Sequence, residues 1–272
     1  MPLIVSHLSK RLHSRMSNGM TLAEVERWLG DVLDLAAVAA IDSSQNGLQV
    51  ACRAGAVTRV AFAVDASMES FRRAAESGAQ LLVVHHGILW DRPLRIAGIH
   101  YDRVRFLVEK DLALYAAHLP LDVHSEVGNN AGIARQLGLV DIRPFGGYRG
   151  TALGFKGALA AAAPLDEVVA RLTARQGEPV RMLPFGPALV RTVGIISGDA
   201  PWGAAQASAE GLDLFVTGEP AHEIYHHCLE HHIHAIFAGH YHSESYGVQS
   251  LADKLARETG LETTYLDIPT GL

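Results

Sequence analysis

The chain has 272 residues, 49% of them hydrophobic, which is enough to bury the core of one large domain or two smaller ones. The formal net charge of −6 argues against a general nucleic-acid surface, because phosphate binding depends mainly on Lys and Arg. No apolar stretch of the sequence reaches the roughly 18 residues of a membrane span, so we expect a protein without a membrane partner. Cys52 and Cys228 form no CxxC pair, which indicates a reducing compartment such as the cytoplasm and argues against thiolate zinc.

Residues 1–19 contain Lys and Arg but no acid, and we expect them to form a disordered extension, with a transit peptide as the alternative. A helix follows directly. Thr21 and Glu24 form a T-x-x-E capping box at the start of TLAEVERWLGDVLDL, whose apolar residues have helical spacing.

The next segments alternate between strand and helix patterns. IDSSQNGLQV predicts a loop that leads to a short strand, TRVAFAVDAS a strand ending at Asp65, and MESFRRAAESG a helix closed by Gly78. LLVVHH predicts a strand, residues 99–110 a helix, LALYAAH a strand, and NNAGIARQLGL a helix closed by Gly138. This alternation predicts an α/β domain with a mainly parallel sheet.

A similar order of elements returns 133 positions later. VAFAVDAS aligns with VGIISGDA, Gly78 with Gly211, and LLVVHH with LFVTGE, which predicts two similar α/β lobes. We place the first lobe at residues 20–140 and the second at 141–272. RPFGGYRG is interpreted as the linker between them, and residues 153–185 as the strand, helix and strand that open the second lobe.

Imidazole and carboxylate groups follow several predicted strands. The positions are His85 and His86, then His118 with Asp122, then His240 with Glu244. Ligands collect at the carboxyl ends of strands in open α/β sheets, so these side chains are expected to converge on one cleft. The alternative is that each histidine is an ordinary hydrogen-bonded residue, but burying several imidazoles and acids together without a partner is costly.

Imidazole and carboxylate without thiolate suit zinc, iron, manganese or cobalt. Five or six ligands exceed the needs of one open tetrahedral site, so we expect two divalent ions per chain, with Glu244 as a bridging carboxylate. Residues 234–272 would contribute ligands to this shared dinuclear site at the C-terminal ends of strands.

Three further features are less specific. The histidines between His222 and His234 are interpreted as a polar helix surface, with metal binding as the alternative. ISGDAP has the composition of an anion-binding turn, although such glycine turns are often only turns. Arg92 and Arg95 are candidate phosphate contacts, with solvent-exposed charge as the favoured alternative.

Several motifs together resemble one known family. NGLQV, LLVVHHGILWD, HLPLDVHSEVGNNAGIARQLGL, FAGHYHSESYGVQSLADKL and YLDIP are similar to the Nif-three-like family, whose bacterial YbgI-like members are often called GTP cyclohydrolase type-2 homologues. The resemblance runs from about residue 20 to the C-terminus. It implies two interlaced α/β lobes, a homo-hexameric ring built from trimers, and a dinuclear metal centre. The implied metal ligands are His85, His86, Asp122, His240 and Glu244.

The resemblance also implies that His118 and Glu219 lie beside the metals, as candidate catalytic residues that orient a ligand or contact the substrate. The favoured hypothesis is a metal-dependent hydrolase that acts on a small molecule, with GTP as one candidate nucleotide substrate. The alternative hypothesis is a protein that stores, senses or delivers metal, or a ring-shaped scaffold for a partner. Whether an open coordination position faces a pocket distinguishes these hypotheses.

Overall fold

The structure, a computed structural model of the chain, describes residues 19–175 and 181–272. These residues form two compact units. The first unit contains the described residues up to His118 together with Leu251–Ile268, and the second contains Leu119–Ser250 together with Pro269–Leu272. The expected disordered extension lies outside the described residues except for its last position. The division into lobes after residue 140 stays a prediction from the sequence.

The first unit is built on a five-stranded sheet with the strand order β1, β4, β3, β2, β11. Its strands are β1 (Gly47–Val50), β2 (Arg59–Asp65), β3 (Leu81–His86), β4 (Ala113–Ala116) and β11 (Glu262–Tyr265). β4, β3, β2 and β11 pair in parallel, and β1 adds an antiparallel edge strand. This sheet is mainly parallel, as the alternation of strand and helix patterns predicts.

Helices cover the sheets of both units. They are α1 (Leu22–Leu33), α2 (Met68–Glu76), α3 (Ile99–Glu109), α4 (Leu119–Val123), α5 (Asn129–Leu137), α6 (Leu165–Thr173), α7 (Gly203–Ala209), α8 (Ile224–Glu230) and α9 (His240–Thr259). The predicted capping box of α1 is confirmed. The Thr21 hydroxyl accepts from the Glu24 N–H at 3.2 Å, and the Glu24 carboxylate accepts from the Thr21 N–H at 2.9 Å.

The second unit is built on a six-stranded sheet with the order β5, β6, β8, β9, β10, β7. Its strands are β5 (Leu139–Tyr148), β6 (Thr151–Ala163), β7 (Arg181–Pro184), β8 (Val190–Ile195), β9 (Leu214–Thr217) and β10 (His234–Phe237). Only β8, β9 and β10 are parallel to one another. The other three pairings are antiparallel, so the prediction of a mainly parallel sheet is wrong for this unit.

The interpretation of RPFGGYRG as a linker is also wrong. Its first residues belong to β5, which forms a long hairpin with β6. Arg149 and Gly150 connect the two strands with φ values of +48° and +88°, the left-handed pair of residues that matches the twist of a tight hairpin. The Gly and Pro content of this segment therefore belongs to a hairpin.

Each unit contains a run of strand, helix, strand, helix and strand with parallel strands. In the first unit the run is β2, α2, β3, α3, β4, and in the second it is β8, α7, β9, α8, β10. Gly78 and Gly211 follow the first helix of each run with φ values of +76° and +69°, which only glycine adopts without strain. The spacing aligned at 133 positions is thus present in the fold. Within the described ranges, no helix is long and apolar enough to cross a bilayer.

Candidate functional site

Three histidines of the first unit lie together at the carboxyl ends of two parallel strands. His85 and His86 end β3, and His118 follows β4 by two residues. β3 and β4 pair in register, with Val84 opposite Ala116, so the two strand ends are neighbours. One ring nitrogen of each histidine lies within 4.8 Å of those of the other two. Such a group of imidazoles is able to hold a metal ion.

In each of these histidines, Nδ1 contacts an oxygen acceptor. The pairs are His85 with the Ala117 carbonyl at 2.9 Å, His86 with Asp65 Oδ1 at 2.8 Å, and His118 with Asp42 Oδ1 at 2.7 Å. A carbonyl or carboxylate oxygen has no proton to give, so Nδ1 is the donor in each pair. Nε2 is then the nitrogen able to bind a metal, which is the arrangement found around metal-binding histidines.

Asp42 is a functional candidate that the sequence reasoning missed. It lies in the loop before β1, and its side chain is 1% exposed. Burial by itself would raise the pKa of Asp42, but the hydrogen bond and charge of His118 lower it. Hydrogen bonds from Asn46 and the Ser44 backbone lower this pKa further, so the net shift is downward. The carboxylate is thereby kept ionised and able to orient the imidazole.

Gln49 on β1 shapes the loop that leaves β3. Its Oε1 accepts from the backbone N–H groups of Ile88 at 2.7 Å and Leu89 at 3.1 Å, while its Nε2 donates to the Gln45 carbonyl. A Cβ on Gly87 would lie 2.5 Å from the Gln49 amide. Gly87 therefore lies so close to the Gln49 amide and the Ala116 Cβ that a larger side chain would displace one of them.

The second unit contains two buried carboxylates beside a partly exposed imidazole. Asp122 in α4 is 6% exposed and Glu244 in α9 is 3% exposed, and an oxygen of each lies within 4.8 Å of the other. His240 begins α9 one turn before Glu244, and its Nε2 lies 3.1 Å from Glu244 Oε2. The predicted ligand His240 is therefore the first residue of a helix, three positions beyond the end of β10.

Glu219 follows β9, and its Oε1 accepts from Nδ1 of His240. This contact engages Nδ1 of His240, as in the histidines of the first unit, while its Nε2 faces Glu244, another candidate ligand. Glu219 was predicted to lie beside the metals, and in the structure it orients a candidate ligand.

Asp122 is held by two buried donors that the sequence reasoning did not assign. The Asn129 amide and the Ser197 hydroxyl donate to its Oδ1 at 2.8 and 2.9 Å. Asn129 also accepts from the Gly247 N–H at 2.6 Å. Next to it, the Asn130 amide donates to the Asp122 carbonyl and accepts from the Ser197 N–H. The sequence shows that Asn129 and Asn130 are adjacent, but their spacing does not indicate which residues they contact.

The ISGDAP turn is occupied by internal hydrogen bonds. The Ser197 N–H donates to Asn130, and the Gly198 N–H donates to the Ser243 hydroxyl at 3.0 Å. Gly198 has a φ of +67°, and a Cβ there would lie 2.3 Å from Glu244 Oε1. The glycine is thus needed for the approach of Glu244, and the turn is not an open anion cradle.

The remaining histidines form no metal-binding group of three within the described ranges. His227 contacts the Ser208 hydroxyl at 2.8 Å and stacks on His231, and burial together with the charge of His231 lowers the pKa of His227. His234 is buried and accepts from the Gly186 N–H. His222, His226, His231 and His232 are exposed, which agrees with the interpretation as a polar surface, whereas the buried His234 belongs to β10 and contradicts it.

Arg92 and Arg95 follow the histidine pair along the chain, and both are exposed. Their assignment as phosphate contacts stays a prediction.

Comparisons with known proteins give a consistent result over nearly the whole chain. The family model described as Duf34/NIF3 (NGG1p interacting factor 3) matches residues 20–270. A Deinococcus radiodurans protein called GTP cyclohydrolase 1 type 2 homolog is 45% identical over 249 residues, which cover 92% of this chain and 94% of that protein. An Archaeoglobus fulgidus protein of the same name is 47% identical over 253 residues, covering 93% of this chain and all of that protein.

Two solved structures share the fold. A Thermus thermophilus protein is 39% identical with a TM-score of 0.85. The protein ybgI, described as of unknown function, is 32% identical with a TM-score of 0.86. Each comparison covers 93% of this chain and 100% of the other.

Proposed function

Because this chain belongs to the Duf34/NIF3 family, as its sequence motifs predict, we propose that it is a metal-dependent hydrolase. The observation that carries the proposal is the shared arrangement of His85, His86, His118 and His240. Each has its Nδ1 engaged by an oxygen acceptor, which leaves Nε2 to bind a metal or, in His118, to exchange a proton. A histidine that only packs in a core is able to use either ring nitrogen in its hydrogen bond. The engagement of Nδ1 in all four histidines is therefore typical of a metal site.

The donor set fits a divalent cation. Imidazole nitrogens and carboxylate oxygens suit zinc, iron, manganese or cobalt. Asp122 and Glu244 are both buried with oxygens within 4.8 Å of each other, and a nearby cation would offset their mutual repulsion. We propose that His85, His86, Asp122, His240 and Glu244 hold two ions per chain, as the family resemblance implies.

When bound, the ions would supply Lewis acidity, which lowers the pKa of a water molecule and polarises a carbonyl or phosphoryl oxygen of the substrate. The protein would supply orientation and proton transfer. The pair of His118 and Asp42 joins an imidazole to a buried carboxylate, which suits His118 to take up and release a proton at Nε2. Glu219 would keep the His240 ring in one orientation through Nδ1.

The names of the relatives make GTP the first substrate to test. Attack of water at the purine C8 would open the imidazole ring, and a second water would release that carbon as formate. Rearrangement of the ribose and ring closure, which returns one water, would then give dihydroneopterin triphosphate. Other nucleotides and phosphodiesters suit the same residues and belong in the same panel. The homo-hexamer and the cytoplasmic location also remain proposals that rest on the sequence.

The test begins with protein purified without a histidine tag and without chelator. We expect about two ions per chain by mass spectrometry of the metals, and fewer than about one would contradict the proposal. Glu244→Gln should lower the metal content, whereas Glu223→Gln, at an exposed position of the same unit, should not.

Turnover of the substrate panel by loaded protein, with formate measured for GTP, tests the hydrolase. Stable metal binding without any turnover would favour the storage or delivery hypothesis.

A further inference from the structure

The second unit contains a cavity of about 690 Å³ beside the ends of three strands. Arg181 of β7 pairs in register with Phe237 at the carboxyl end of β10, and both line the cavity. Pro220 and Ala221, which follow β9, form another part of its wall. The cavity thus opens at the edge of the sheet where ligands collect in α/β folds.

The cavity is next to a residue of the candidate site along the chain. Pro220 directly follows Glu219, whose carboxylate contacts His240. Phe237 ends the strand that leads to His240. A molecule held in the cavity would therefore lie beside this end of the candidate site.

The cavity wall combines apolar surface with positive charge. The apolar part includes Met182, Pro220, Tyr225 and Phe237. The nitrogen-bearing side chains are Arg181, His222 and His226. No carboxylate lines the cavity, and Arg181 forms no ion pair within the described ranges. An anionic group is the natural complement of this guanidinium.

The Tyr225 ring lines the cavity and is positioned to contact an aromatic ring of a ligand. It is 43% exposed, yet Phe185 and His226 pack edge-on against it, each with a ring-centre distance of 5.2 Å. Fixed aromatic surface bordered by a few polar groups is characteristic of small-molecule sites, and the volume matches that of such sites.

From these features we propose that the cavity binds an anionic aromatic compound, with its ring against Tyr225 and its phosphate or carboxylate at Arg181. This inference rests on the proposed function in one respect only: the compound would be the substrate presented to the neighbouring metal residues. Binding itself does not require that the protein be a hydrolase.

The test is isothermal titration of tag-free, metal-loaded full-length protein. Guanosine 5′-monophosphate and guanosine share a ring system but differ in charge, and anthranilate tests whether a carboxylate replaces the phosphate. We expect the monophosphate to bind about tenfold more tightly than guanosine. Arg181→Gln should remove this difference, and Tyr225→Leu should weaken the binding of both guanosine and its monophosphate. Arg143→Gln, at an exposed position on β5, should change neither affinity.

Three outcomes would overturn the proposal. The first is an unchanged ratio of the two affinities in Arg181→Gln, and the second is no binding of either anionic probe up to about 10 mM. The third is a change in oligomeric mass on Tyr225→Leu with ligand binding intact, because the face would then be an interface between copies.

The two proposals fail separately. If monophosphate binding depends on Arg181 but no substrate turns over, only the proposal of hydrolase activity is refuted. If turnover persists unchanged in Arg181→Gln, only the proposal that the cavity binds the substrate is refuted.

Discussion

The hydrogen bonds of Asn129 lead to a prediction about both stability and metal binding. The side chain is fully buried and uses both ends of its amide, donating to Asp122 and accepting from the Gly247 N–H. Asn129→Ala removes a hydrogen bond to a charged group, worth about 1.5–3 kcal/mol, and leaves a buried N–H without its acceptor, at about 1–3 kcal/mol. We expect a loss of about 3–5 kcal/mol in the free energy of unfolding.

The assay is urea unfolding of metal-free protein in chelator, so that metal binding makes no contribution to the measured free energy. Ser197→Ala is the matched comparison, because it removes only a donor to the same oxygen of Asp122. Ser197→Ala should lower the free energy of unfolding by less, about 1–3 kcal/mol. In the double variant the losses should depart from additivity by about 0.5–3 kcal/mol, because both donors share one acceptor.

Metal affinity should fall in both variants, and more in Asn129→Ala. A loss of stability below about 1 kcal/mol in Asn129→Ala, with unchanged metal affinity, would refute the assignment of this residue as the support of Asp122.

The remaining predictions concern a glycine, a thiol and a carboxylate. Gly247→Ala should destabilise the protein although it lies within a helix, because a Cβ there would lie 2.6 Å from Asn129 Oδ1. Gly30→Ala, with no atom within 4 Å, should stabilise it by about 0.5–1 kcal/mol in the same urea assay. Cys228 is fully buried, and burial raises its pKa to about 11, so at pH 8 a thiol reagent should label Cys52 and leave Cys228 unmodified until the protein unfolds. Rapid labelling of both would contradict the buried environment. Asp42→Asn takes the carboxylate away from His118, the proposed proton carrier, and should lower turnover by about 100-fold or more while the metal content stays unchanged. Unchanged turnover would mean that the His118–Asp42 pair does not transfer the proton.

Local patterns were sufficient to predict most elements of the first unit. The strand at Arg59–Asp65, the helix closed before Gly78 and the strand at Leu81–His86 lie where their apolar spacing and glycine positions place them. These elements are set by contacts between near neighbours, which a single sequence displays. The strand-end positions of His85 and His86 followed from the same pattern.

The second unit shows where such reasoning fails. Gly and Pro in RPFGGYRG indicated a linker, but residues of this segment pair with β6, and that pairing depends on a partner strand across a turn. The antiparallel pairings of β6 with β8 and of β10 with β7 likewise depend on which strands become neighbours. The amino-acid composition of a strand does not specify which strand becomes its neighbour in the sheet.

By itself the sequence determined most elements of the first unit and the candidate site residues, because residue type and short-range spacing specify strands, helices and donor atoms. Only the tertiary structure decided which groups contact those residues. Asp42 is 76 positions from His118, and Ser197 is 75 from Asp122. Hydrogen bonds act over about 3 Å of space without regard to separation along the chain, so these partners become visible only once the chain is folded.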